Sequence, residues 1–150
     1  MQNVYMTQVK NEAYATNKTH LIDKRQVLKA FNDHFIHFLE DVERVFPGNQ
    51  DITSAKHAII AFRKMNPRLL VMVFYESVGK MYRSEIESGN LHYFIEKDYT
   101  PDVKGKRNAD ILIQKINSLR EPVNNMSKSE QEKVIKYLNN LIRLSEMYNE

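Results

Sequence analysis

The residues from Asn66 to Ile86, NPRLLVMVFYESVGKMYRSEI, constrain this chain more than any other stretch. Asn66 is a helix-capping residue type, and Pro67 suits the first helical position, where a missing N–H costs nothing. Seven side chains from Leu69 to Tyr75 then follow without a polar break. A helix of that composition is apolar all round and must be enclosed by its neighbours. A short apolar run alone does not separate helix from strand. The pattern continues, however, through Val78, Met81, Tyr82 and Ile86 at spacings of three and four, which favours a helix. The stretch is therefore expected to be the central helix of an all-α domain, a single compact bundle of five to six helices.

The rest of the chain supplies the walls. Asp23 is a candidate N-cap for a helix to about Val45, with Val27, Leu28, Phe31, Phe35, Phe38, Leu39, Val42 and Val45 forming a wide apolar stripe. Pro47-Gly48-Asn49 reads as a turn. A second helix is expected from Asp51 or Ile52 to Met65, with Ile52, Ala55, Ile59 and Phe62 inward. Gly89 suits the left-handed residue that closes the central helix. The Leu91–Tyr99 segment is expected to lie over the core as a lid. The polar, basic stretch around Lys104, Lys106 and Arg107 is expected to be an exposed loop. Asn108 is a candidate cap for a helix that stops before Pro122. Ser127 and Glu130 form a capping box ahead of the last helix. Residues 1–20 lack sustained periodicity and read as an N-terminal arm, with the helical domain spanning 21–150.

Composition narrows the chemistry. A chain of 150 residues fits one domain with a substantial core. Cysteine is absent, which removes disulfides, thiolate nucleophiles and Cys-ligated zinc. No basic-then-apolar leader and no membrane-length apolar run is visible, so the expectation is a soluble intracellular protein that is not secreted. The net charge of +3 is unevenly spread: six basic residues against two acidic in 51–83, one against five in 84–102, and five against one in 103–120. Such blocks can present a surface to an anionic partner, or simply complement each other.

No grouping of residues forms a catalytic motif. Neither Ser77-Val78-Gly79 nor Ser88-Gly89 has a nucleophile-elbow setting, and no glycine-rich phosphate loop occurs. The expectation is a non-enzymatic protein with no cofactor. His34, His37 and Asp41, with Asp33 nearby, are weak candidates for a metal site. A helix-borne site needs ligands from at least a second helix, and the ordinary reading is a solvated polar face opposite the phenylalanines. Arg63, Lys64, Arg68, Lys104, Lys106 and Arg107 are weak candidates for an anion or nucleic-acid surface. The frequent tyrosines, among them Tyr75, Tyr82, Tyr93, Tyr99, Tyr137 and Tyr148, favour protein contacts, because aromatic rings with polar tips are enriched at interfaces.

Three segments carry a resemblance: FLEDVERVFPGNQDITSAK from Phe38, NPRLLVMVFYESVGKMYRSEIESGN from Asn66, and LREPVNNMSKSEQEKVIKYLNNLIRLSEMYN from Leu119. With EKDY at Glu96–Tyr99, they resemble a group of small uncharacterised helical proteins of large nucleocytoplasmic DNA viruses, the giant viruses. That resemblance covers most of the chain from about Phe31 and implies a setting, host cytoplasm or virion, without supplying catalytic residues. It implies a protein-interaction module of the virion or its assembly. The alternatives are a replication or transcription factor that touches nucleic acid through the basic blocks and, least supported, an enzyme of unknown type. The protein partner is left unidentified, and a second copy of the chain is one of the alternatives.

Overall fold

The computed structural model describes residues 23–89, 91 and 107–150. The arm at 1–20, the lid beyond Leu91, and Lys104 and Lys106 lie outside the described residues. Within them the chain forms α1 (Lys24–Val45), α2 (Gln50–Met65) and α3 (Leu69–Phe74), then a π turn (Tyr75–Gly79) running into α4 (Lys80–Glu87). After these come α5 (Arg107–Asn117), the single-turn α6 (Arg120–Asn124) and α7 (Lys128–Tyr148). No strand occurs among the described residues. The expected all-α bundle is the observed architecture.

Local chemistry sets most boundaries. The Asp23 carboxylate accepts from Arg25 N at 2.9 Å, and Asn49 Oδ1 from Ile52 N at 3.1 Å, satisfying orphan donors at the starts of α1 and α2. Ser127 and Glu130 complete a reciprocal capping box at α7. Gly48 at φ 85° and Gly89 at φ 84° take the left-handed conformation that turns the chain after α1 and α4. At its far end α7 is tied to α1, where Lys24 Nζ donates to Tyr148 O at 2.7 Å.

α3 sits among α1, α2, α5 and α7. Leu70, Val71, Val73 and Phe74 are buried, and the Phe74 ring meets Phe31 at 5.4 Å and Phe35 at 6.0 Å between centroids. Edge-on stacking of that kind adds to the area term. α1 and α7 flank it, joined through Phe38 and Tyr137 at 5.4 Å.

The central segment departs from expectation in three ways. Asn66 ends α2, its backbone N–H donating to Phe62 O at 2.8 Å, while its side chain accepts from Arg68 N at 3.2 Å. The helix therefore starts at Leu69, with Pro67 in the turn. The helix is also interrupted by the π turn, whose extra residue lets Ser77, Val78 and Gly79 all face inward against α7. A Cβ on Gly79 would lie 3.2 Å from Ser145 Oγ, so glycine permits this close approach. Finally, Met72 is 44% exposed, so the segment is not enclosed on every side.

Two smaller corrections concern the later helices. Arg107 already belongs to α5, which places Asn108 inside the first turn rather than at the cap. α5 does stop before Pro122, at Asn117, but Pro122 itself sits in the first turn of the separate α6, where a backbone N–H has no intrahelical partner to lose.

Candidate functional site

The sequence-predicted metal residues do not converge. His34 follows Phe31 by three and precedes Phe38 by four, so it shares their apolar face and is buried, not solvated. Its ring lies 4.9 Å from that of Tyr137, and Nε2 has no hydrogen-bond partner. Burial drives its pKa from 6.5 to about 4, aided by the neighbouring His37 charge and opposed by a hydrogen bond with the Tyr137 backbone. His34 is thus a neutral core side chain, whereas His37 is exposed. Asp41 accepts from Arg44 and from the Tyr137 hydroxyl. Among the described residues no three His, Asp or Glu side chains are grouped as metal ligands.

The basic candidates separate into paired and unpaired groups. Arg63 bonds Asp33 at 2.7 Å, and Lys56 bonds Glu43 at 2.7 Å. Burial would raise the Asp33 carboxyl, but hydrogen bonds from Lys29 and Arg63 outweigh it and hold the pKa below the usual range. Hydrogen bonds from Lys56 and then Thr53 lower Glu43. Those two cations stabilise the α1–α2 contact and are not available to a phosphate. Lys64 and Arg68 are exposed and form no ion pair among the described residues. Arg107 contributes its backbone to α5.

The two unpaired cations sit at the α2–α3 corner, beside the exposed large hydrophobics of the described residues, Met65 at 69% and Met72 at 44%. The corner is built by local rules. Asn66 closes α2, Asn66 O accepts from Leu69 N at 3.1 Å, and Pro67 stands exposed at the tip. One turn into α3, Met72 N donates to Arg68 O at 3.2 Å, which fixes Met72 above Arg68 on the outer face. Beneath, Asn32 Nδ2 donates to Pro67 O at 3.0 Å and pins the corner to α1. The corner thus leaves two thioethers and a proline exposed, together with the exposed Lys64 and Arg68. Methionine is unbranched and polarisable, so such a surface can mould itself to an apolar partner.

Sequence reasoning missed both methionines. The signal was present for Met72, which lies four residues after Arg68 and four before Glu76, on the face that those two charged residues mark as outward. The tyrosines, by contrast, are largely spoken for within the chain. Tyr137 donates to Asp41, and Tyr148 packs on the core with Lys24 Nζ 5.8 Å from its ring centre. Tyr75 is half-buried beside Gly79. Tyr93 and Tyr99 lie outside the described residues.

No protein-family model, curated protein or solved structure matches this chain. No helix among the described residues is long and apolar enough to cross a membrane.

Proposed function

We propose that this chain is a non-enzymatic protein-interaction module that docks through the Met65–Met72 corner onto an apolar surface with an acidic rim. The observation that carries the reading is that exposed Met65 and Met72 flank one pinned turn together with Lys64 and Arg68, which form no ion pair among the described residues. Leaving such side chains in water forgoes burial worth about 25 cal/mol per Å² of apolar surface, which a partner would recover. Charge complementarity at the rim would fix orientation and speed encounter. A second copy meeting this corner symmetrically would set Lys64 and Arg68 against their own equivalents, so a different, acidic partner fits better. A virion or assembly component is the setting we infer, and it rests on the sequence resemblance alone.

Nucleic acid is the second reading, favoured by Lys64 and Arg68, which are exposed and unpaired among the described residues. Pairing of Arg63 and Lys56 leaves few described cations to neutralise phosphates there. Affinity capture from the native source, with and without nuclease, separates the two. Met65→Ser/Met72→Ser should lose the captured protein at all salt concentrations, and Lys64→Glu/Arg68→Glu should weaken capture mainly at low salt. Release by nuclease, or retention by the double serine variant, would remove the protein-docking reading.

A further inference from the structure

A different surface, at the opposite end of α2, has the chemistry of an anion receptor. We propose that the groove between the first half of α2 and the end of α5 binds a phosphate monoester. The groove has a volume of about 580 Å³ and is lined by Gly48, Gln50, Thr53, Ser54, His57, Ala58 and Lys115. The groove is shallow and open, with Gln50, Ser54 and His57 exposed, so a ligand there is held by its polar contacts. Its polar side chains can all donate hydrogen bonds, and no carboxylate lines it among the described residues.

Lys115 is the centre of the site. It is half-buried, and its ammonium donates to Ser54 Oγ at 2.6 Å, with no carboxylate partner among the described residues. Lys56, on the same helix as Ser54, instead has Glu43 at 2.7 Å. A partly desolvated cation resting on a neutral hydroxyl favours an added anion. Because Ser54 Oγ accepts from Lys115, its own O–H is free to point outward. Gln50, Ser54 and His57 follow at spacings of four and three and share one face of α2, adding an amide and an imidazole. The acids closest by do not cancel this charge. Glu43 is satisfied by Lys56 on one oxygen and Thr53 at 3.0 Å on the other, and Asp51 is exposed outside the lining. A phosphate monoester offers three terminal oxygens as acceptors for the Lys115, Ser54 and Gln50 donors, with its organic part along Ala58 and His57.

The test is an amide-resolved NMR titration of the full chain with inorganic phosphate, glycerol 3-phosphate and a short phosphoserine peptide, at ionic strength held constant with sodium chloride. The expected result is saturating shifts confined to residues 48–58 and the end of α5 with at least one ester. Lys115→Gln should weaken binding about tenfold, the loss of one charge-assisted hydrogen bond, and Lys115→Arg should retain it. Which ester binds tighter identifies the source of the phosphoryl group. Shifts that merely track chloride, saturation by inorganic phosphate alone, or equal affinity in Lys115→Gln and the parent with unchanged melting temperatures would each overturn the proposal.

Discussion

The two faces of α3 are made of the same kind of residue and have opposite fates. Leu70, Val71, Val73 and Phe74 are at most 4% exposed, while Met72, between two of them, is 44% exposed. The inner face is held by rings and aliphatic chains from α1, α2, α5 and α7. The outer face has no described neighbour of that kind and joins Met65, Pro67 and two cations at the corner. Hydrophobicity alone does not distinguish a core side chain from one left exposed. The phase of the charged residues around it does.

The comparison can be broken at the inner face first. Phe74→Ala empties a site bounded by Phe31 and Phe35 and should cost about 3–5 kcal/mol in denaturant unfolding. A loss below about 1 kcal/mol would mean that α3 is not enclosed.

His34 gives the next largest effect. Its pKa of about 4 in the folded state lies below the 6.5 expected when unfolded, so between those values the unfolded chain binds more protons. Stability should be full above pH 6.5 and decline as pH falls toward 4, by on the order of 3 kcal/mol. His34→Leu should flatten that decline and, having no orphaned ring nitrogen, should keep or raise stability at neutral pH. An unchanged pH profile would show that His34 is hydrated.

A smaller effect sharpens the contact of the central segment with α7. Alanine normally improves a helix interior over glycine by about 1 kcal/mol. At Gly79 it should instead destabilise by about 1 kcal/mol net, because the added Cβ would press on Ser145 Oγ, which is buried and bonded to Ile142 O at 2.8 Å. Adding Ser145→Ala should recover most of the loss, and a double-mutant cycle with no coupling would refute the close approach.

At the corner the effect on stability should nearly vanish. Met65→Ser and Met72→Ser should each lie within about 0.5 kcal/mol of the parent in thermal unfolding, as exposed substitutions do. A larger loss would move those methionines into the core and out of any docking surface.

These contrasts also show what could be read from the chain beforehand. The capping chemistry of Asp23 and Ser127, the turn at Gly48 and the apolar stripe of α1 are local patterns, and all appear where residue spacing puts them. The π turn was not legible from residue spacing, and neither was the close approach of Ser145, 66 positions further along the sequence than Gly79. The pairing of Arg63 with Asp33 was hidden for the same reason, since it joins different helices. His34 was misread as solvated even though its spacing from Phe31 and Phe38 already placed it inward. Of the candidate site, Lys64 and Arg68 were visible as charges, while their lack of an ion pair among the described residues became apparent only in three dimensions.

The most direct test of the docking surface is site-specific photo-crosslinking in an extract of the native source, with the reactive side chain at position 72 and, as a control, at the exposed Arg143 position on α7. A discrete protein adduct from position 72, absent from position 143 and suppressed by Met65→Ser, is the predicted result. Equal adducts from both positions, or an adduct from position 143 alone, would contradict it.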